Sequence, residues 1–217
     1  MKIHSIFKSI NGEVNINHQG SICTFIRLSG CNLRCKTCDT IYAQKSDSGK
    51  EMSIDEIIAI VDEMNCRSIT ITGGEPLEQE EELYQLVVAL SDKDYIVSIE
   101  TNGSKLINSQ WPVSWVMDYK PKSSGMNHRM LPENYDYLIN YDYLKIVVAD
   151  KDDFDEAVDI IRKHEIEDPI IAFSPMFIDN KPMVDIQDLL KWIEDEKLAS
   201  NRIIVVNIQI HKLLNVK

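Results

Sequence analysis

An α/β fold, a parallel sheet curved into a partial (incomplete) TIM-like βα barrel, is predicted by three features of this 217-residue chain. Short runs rich in β-branched residues alternate with segments of helical period, the pattern of repeated βα units. The length suits one domain over residues 1–217 and falls short of the about 250 residues that a closed eight-stranded barrel takes. The segments bearing cysteine, glycine and lysine follow the ends of successive strands, the edge where parallel sheets gather their ligands.

The first strand is read at 22–28, where Cys23, Phe25 and Arg27 alternate with Thr24, Ile26 and Leu28. If the aliphatic residues face helices, Arg27 points into the barrel. A helix follows, opened by Ser53 with Glu56 three residues on, a capping-box pattern. It carries Ile54, Ile57, Ile58, Val61 and Met64 on one face. Strands are then read at 68–72, 95–101, 113–118, 144–149, 170–173 and 203–209. Between them, Leu83, Leu86, Val87 and Leu90, then Phe154, Ala157, Val158 and Ile161, then Ile186, Leu189, Leu190 and Ile193 form apolar stripes that pack against the sheet.

The net charge of −12 argues against nucleic acid and anionic membrane as partners, since both present dense negative charge. No apolar run approaches the roughly 20 residues that cross a bilayer, and the opening ten residues lack a signal-peptide core, so a cytoplasmic protein is expected. Five cysteines, of which Cys23 and Cys66 stand alone and read as buried small hydrophobes, make no disulfide framework.

Cys31, Cys35 and Cys38 lie within eight residues, in the run Gly30-Cys31-Asn32-Leu33-Arg34-Cys35-Lys36-Thr37-Cys38-Asp39-Thr40. Structural zinc sites close with four ligands, commonly two Cys-x-x-Cys knuckles, and no second knuckle exists here. Three thiolates on one short loop suit an iron-sulfur cluster, with one iron left open to a small molecule. Ile71-Thr72-Gly73-Gly74-Glu75-Pro76 reads as a strand end where missing side chains admit a close backbone approach. Glu100 closes the next strand, in Ser98-Ile99-Glu100-Thr101-Asn102-Gly103.

The Cys-x3-Cys-x2-Cys spacing closely resembles that of the radical S-adenosylmethionine (SAM) enzymes, and the Gly-Gly-Glu-Pro turn after the second strand resembles their SAM-binding motif. Four further stretches resemble the 7-carboxy-7-deazaguanine synthase family: Phe7-Lys8-Ser9-Ile10-Asn11-Gly12-Glu13, Phe25-Ile26-Arg27-Leu28, Cys38-Asp39-Thr40 and His211-Lys212-Leu213-Leu214-Asn215-Val216. The resemblance implies a radical SAM type of partial barrel and conversion of 6-carboxy-5,6,7,8-tetrahydropterin to 7-carboxy-7-deazaguanine with loss of ammonia, a step of 7-deazapurine and queuosine biosynthesis. It implies a 4Fe-4S cluster on Cys31, Cys35 and Cys38, SAM on its open iron, and Mg2+ on Thr40. Around SAM it places Gly73, Gly74 and Glu75 at the amino group, Glu100 at the ribose, and Thr37, Asp39, Asn102, Lys120, Pro121, Lys122 and Ser174 nearby. Around the pterin it places Ile10, Asn11, Gly12, Glu13 and Thr72, with Arg27 on the substrate carboxylate and His211 and the terminal Lys217 closing the pocket. A homodimer and an external one-electron reductant of flavodoxin or ferredoxin type are implied as well.

The chain departs from the family at Asn11, in place of the usual Gln, at Val14, in place of a Gly, at Thr37, where an aromatic is usual, and at Ser174, where a Gln is common. Lys145 reads equally as a pocket lysine or an exposed one. Two other readings stay open on the motifs: an activating enzyme that makes a glycyl radical on a partner protein, and a non-enzymatic iron-sulfur electron carrier or zinc-stabilised module.

Overall fold

The computed structural model describes residues 1–216; Lys217, expected at the substrate, lies outside the described residues. In chain order the strands are β1 (Lys2–Ile10), β2 (Ile22–Leu28), β3 (Lys50–Glu51), β4 (Ser68–Gly73), β5 (Ile96–Thr101), β6 (Ser114–Tyr119), β7 (Tyr143–Val148), β8 (Ile170–Pro175), β9 (Phe177–Ile178), β10 (Lys181–Pro182) and β11 (Ile204–Val206). The helices are α1 (Ile54–Met64), α2 (Glu80–Ser91), α3 (Lys151–Lys163), α4 (Ile186–Asp195) and α5 (Ile210–Leu214). One nine-stranded sheet runs β11-β8-β7-β6-β5-β4-β2-β1-β3. All neighbours from β2 to β11 pair in parallel, while β1 runs antiparallel to β2 and β3.

The two faces of the sheet follow the pleat. Ile26 and Leu28, Ile69 and Ile71, Val97 and Ile99, Leu144 and Ile146, and Ile171 and Phe173 all join the core beneath the helices. Their neighbours Arg27, Thr72, Glu100 and Lys145 turn to the other side, into the barrel. The capping box of α1 forms as expected, with Ser53 N–H on Glu56 Oε2 (2.7 Å) and Glu56 N–H on Ser53 Oγ (3.2 Å).

The sequence reading missed β1, whose alternation is blurred by partly buried residues, and overextended the last strand. Only Ile204–Val206 pairs with β8. Just beyond it, Asn207 keeps a backbone bond to Phe173 of β8 (2.8 Å) while its side chain seals the barrel. Its side chain accepts from Val14 N–H (3.1 Å) and Gln19 Nε2 (3.1 Å), and donates to Ser174 Oγ (2.6 Å). Ile210 N–H donates to Gly12 carbonyl oxygen (3.0 Å). The loop 11–21 thus fills the gap that a closed barrel would bridge with another strand.

This loop also floors the barrel. Asn15 donates to Thr70 Oγ1 (3.3 Å), Tyr143 hydroxyl donates to Asn15 carbonyl oxygen (3.4 Å), and Ser68 Oγ donates to Asn17 Oδ1 (3.1 Å). Asn11 is buried, its amide donating to Ser21 Oγ (2.8 Å) and accepting from Cys23 Sγ and Thr70 Oγ1 (2.8 Å each). Cys23 is the buried thiol expected, and burial pushes its pKa up to about 12. Cys66 is only half-buried just before β4, correcting its reading as a core residue.

Asn207 is fully buried, so Asn207→Leu strands the buried Val14 N–H and the Ser174 hydroxyl against an apolar side chain. We expect a loss of roughly 2–3 kcal/mol in unfolding free energy, read from the urea midpoint at unchanged slope.

Candidate active site

A cavity of about 540 Å³ opens at the carboxyl ends of the strands, a volume ordinary for a small-molecule site. Cys31, Cys35 and Cys38 line it, as do Thr37, Asp39, Thr40, Gly73, Gly74, Glu100, Asn102, Lys120 and Pro121 of the residues expected around SAM and the metals. Ile10, Gly12, Glu13, Arg27, Thr72 and His211 of the expected substrate residues line the same space.

The cysteine loop follows β2 and is pinned from two strands. Leu33 N–H points to Cys31 Sγ (3.4 Å), and Asn102 Nδ2 lies 3.7 Å from the same sulfur and 3.1 Å from Asn32 Oδ1. Gly74 N–H donates to Leu28 carbonyl oxygen (3.1 Å) and Glu75 N–H to that of Gly30 (2.7 Å). A Cβ on Gly74 would stand 2.0 Å from the Gly30 oxygen. This glycine is therefore needed for the cysteine loop to lie against the Gly73-Gly74 turn.

Four residues expected at the site do not line the cavity. Glu75 does not line the cavity: it is fully buried, and its carboxylate accepts from Thr101 Oγ1 (2.8 Å), Asn102 N–H (2.7 Å) and Leu77 N–H (3.1 Å). Burial pushes its pKa up despite these donors. It stitches β4 to β5 beneath the cysteine loop. Asn11 is turned to the floor, where Cys23 and Thr70 hold its side chain. Ser174 is fully buried with its hydroxyl taken by Asn207. Lys122 is exposed on the outer side of its turn, where its N–H meets Glu156 (2.8 Å).

The donor set fits the groups the motifs imply. Burial pushes the Cys31 and Cys35 thiols up, with nearby Lys120 working the other way on Cys35. Such thiols need coordinated metal to become thiolates, and N–H donors beside sulfur are the usual support of a cluster. Among the described residues no three of His, Cys, Asp or Glu are set to hold a single metal ion. Thr40 Oγ1, 3.7 Å from Cys38 Sγ, offers an oxygen to Mg2+, which takes few protein ligands and keeps water or substrate oxygens.

Arg27 reaches the cavity between Phe7 and Tyr42, with its guanidinium carbon 5.9 and 5.8 Å from their ring centres. Phe7 itself stacks on Phe25 at 5.2 Å. Among the described residues Arg27 forms no ion pair. Thr72 hydroxyl donates to Glu100 Oε2 (2.7 Å). Burial, reinforced by Glu13, pushes the Glu100 pKa up against the pull of Lys145.

Residues that the sequence reading left unassigned join the walls. Asp118 accepts from Lys120 (3.1 Å) and Lys145 (2.9 Å); burial opposes its charge, but the two lysines hold it below the usual carboxylate range. Lys145 and Gln209 both donate to Glu13, and Lys212 donates to Gln209 Oε1 (2.7 Å). Lys212 also pairs with Asp39 (3.1 Å), tying the C-terminal helix to the cysteine loop. His211 packs on Gly12, where a Cβ would fall 1.9 Å from Nδ1. Burial pushes its pKa below the ordinary value, so the ring is neutral at pH 7 and acts as a hydrogen-bonding group. Alternation could have found Lys145, since it stands between Leu144 and Ile146 as Arg27 stands between Ile26 and Leu28. No comparable signal marks Gln209, which lies beyond its strand.

Comparison with known proteins agrees with this geometry. The Radical SAM superfamily model matches residues 25–114. A 7-carboxy-7-deazaguanine synthase of Koribacter versatilis is 35% identical, over 99% of this chain and 96% of its own length. One of Clostridium acetobutylicum is 34% identical, over 98% and 95%. Among solved structures, QueE from Escherichia coli superposes with a TM-score of 0.72 over 95% of this chain and 92% of its own, at 20% identity. Streptococcus suis SuiB bound to S-adenosylmethionine gives 0.58 over 82% and 48%, at 14% identity. At these identities the structural likeness speaks for the fold alone.

Gly74→Ala forces the turn and the cysteine loop apart, because its collisions are with backbone. After anaerobic reconstitution its iron and sulfide content should fall to less than about half that of the unaltered chain, with the cluster's visible absorbance falling in step.

Proposed function

Because the chain belongs to the 7-carboxy-7-deazaguanine synthase family of radical SAM enzymes, we propose that its cavity converts 6-carboxy-5,6,7,8-tetrahydropterin to 7-carboxy-7-deazaguanine with loss of ammonia, in 7-deazapurine and queuosine biosynthesis. The observation that carries this reading is Arg27, a guanidinium without an ion pair among the described residues, in the same cavity as the three-cysteine loop. A carboxylated ring is the complement of such a fork, with Phe7 and Phe25 beside it as apolar surface.

Cys31, Cys35 and Cys38 would hold the 4Fe-4S cluster, Thr40 the Mg2+, and the Gly73-Gly74 turn, Glu100, Asn102, Lys120 and Pro121 the SAM. When bound, cluster and SAM supply the hydrogen-abstracting radical and Mg2+ orients substrate oxygens. The chain's own part is alignment. Arg27 fixes the carboxylate end, Glu13 and Thr72 face the ring, and Glu100 meets hydroxyl donors with the oxygen that Thr72 leaves open. Neutral His211 closes the pocket over Gly12, and the Lys212–Asp39 pair keeps the closing helix against the cysteine loop, limiting water. A cavity of about 540 Å³ suits a small molecule better than a protein segment, which favours this reading over activation of a partner protein.

The enzyme takes its electron from an external one-electron donor, and we assign that role to a flavodoxin- or ferredoxin-type protein. A cytoplasmic location accords with an oxygen-sensitive cluster, five free cysteines and no helix, among the described residues, long and apolar enough to cross a membrane. We further read residues 1–217 as one radical SAM domain, supported by a core that draws on β1 through α4, acting as a homodimer.

Anaerobic incubation of the reconstituted enzyme with dithionite, SAM, Mg2+ and 6-carboxytetrahydropterin should yield 7-carboxy-7-deazaguanine by mass spectrometry. Cys35→Ala should abolish it, and Arg27→Ala should lower kcat/KM by about 100-fold, as expected for losing a bidentate carboxylate contact. SAM cleavage without that product would retain the superfamily chemistry and discard the substrate.

A further inference from the structure

Lys145 has no part in the reading above, yet it stands at the centre of the cavity wall. It lies midway along β7 and is 6% exposed. Its ammonium donates to Glu13 and to Asp118 Oδ2 (2.9 Å), the latter on the adjacent strand β6. A buried ammonium is costly unless several partners offset its lost hydration. Here Asp118, Glu13 and Glu100 outweigh burial and keep Lys145 charged, with its pKa raised.

Glu13 is placed differently from the two carboxylates nearest Lys145. Asp118 and Glu100 are borne by strands, whereas Glu13 lies outside regular structure, in the loop that fills the barrel's gap. Its side-chain position therefore depends on what holds it, and the holders are Lys145 on one oxygen and Gln209 on the other. Lys145 is the one of these on a paired strand, and Asp118, itself gripped by Lys120, fixes Lys145 from behind. A binding group on a loop gains precision from a second group on a rigid element. With one donor on each Glu13 oxygen, a further lone pair remains on each, the pattern that receives two parallel N–H donors such as a ring N–H and its neighbouring amino group.

We propose that Lys145 is a positioning residue: anchored by Asp118, it holds the Glu13 carboxylate in the cavity to receive the N–H-bearing edge of the substrate's heterocycle. This rests on the reading that Glu13 faces the substrate. It predicts that Lys145 acts through Glu13 and on substrate, and not on SAM.

The test uses cluster-loaded enzyme with Lys145→Met, Lys145→Gln, Lys145→Arg, Glu13→Gln and the double variant Glu13→Gln/Lys145→Met. Two readouts are taken: kcat and KM in the anaerobic assay, and calorimetric affinity for 6-carboxytetrahydropterin and, separately, for SAM. Lys145→Met should weaken substrate affinity and raise KM by about 30-fold with kcat within about threefold, the size of losing one charge-assisted support. Lys145→Arg should recover affinity to within about fivefold of the unaltered chain, and the double variant should bind no more weakly than Glu13→Gln alone. Unchanged substrate affinity in Lys145→Met, an equal loss of SAM affinity, or multiplied losses in the double variant would overturn the proposal. If Lys145→Met fails to load its cluster, Lys145→Gln decides by the same criteria. An unaltered enzyme that yields no 7-carboxy-7-deazaguanine overturns the functional reading instead, which the unaltered enzyme alone decides.

Discussion

Charge inside a barrel has to be compensated by other charge, and the interior of this one is organised around that requirement. Lys120, Asp118, Lys145, Glu13, Gln209, Lys212 and Asp39 form a continuous chain of polar contacts around the cavity. Each lysine in it faces a carboxylate. A single buried charge from this set would be strongly destabilising, whereas the paired set is tolerable and holds its members in fixed places. The acidic surplus of the whole chain has no bearing on this balance, because the cavity groups interact at contact distance while the surface charges are screened over about 10 Å.

The chain of contacts reaches across elements that the sheet does not join. β6 and β7 bring Asp118 and Lys145 together by ordinary parallel pairing. Glu13 comes from the loop that plugs the gap, Gln209 and Lys212 from the segment after β11, and Asp39 from the cysteine loop. Barrel closure and site assembly are therefore one event. Asn207 and Gly12 seat the plug against the last strand, and the same loop then offers Glu13 to the cavity. The tail that follows Asn207 is held to the cysteine loop by Lys212 and Asp39. A rigid seven-strand parallel wall, β2 to β11, faces a wall made of loops, which suits a site that must admit ligands from one side and then exclude water.

The sequence revealed most where chemistry and periodicity coincide. The cysteine spacing, the Gly-Gly turn and the alternation around Arg27 each placed residues correctly at the cavity. Parallel βα order was readable because each strand run is short and bounded, and the helices have clear apolar stripes. What stayed hidden depends on long-range pairing. Glu75 sits in a ligand-binding motif, but its side-chain direction is set by Thr101 and Asn102, which lie a whole βα unit away. Asn11 and Ser174 turn away from the cavity because Thr70 and Asn207 offer partners on the other side. Lys122 follows Lys120 by two residues, yet the 3-10 turn Lys122–Ser124 puts it outside. β1 escaped notice because its partner strand, not its own pattern, defines it.

The cavity's remaining polarity indicates the ligand it can take. With the cavity lysines paired and His211 neutral, Arg27 is a cavity cation that makes no salt bridge among the described residues. A carboxylate would add an ion-pair partner to a guanidinium that already lies over two aromatic faces. The Phe7–Phe25 stack beside Arg27 places apolar surface next to that charge, so the complementary molecule is an anion carried on a flat ring. The same wall presents Glu13 and Glu100 as acceptors, so the ring's other polar positions should be donors. Acidic as the whole chain is, this local pattern selects for a carboxylated heterocycle with N–H edges, which is the chemistry of the pterin substrate.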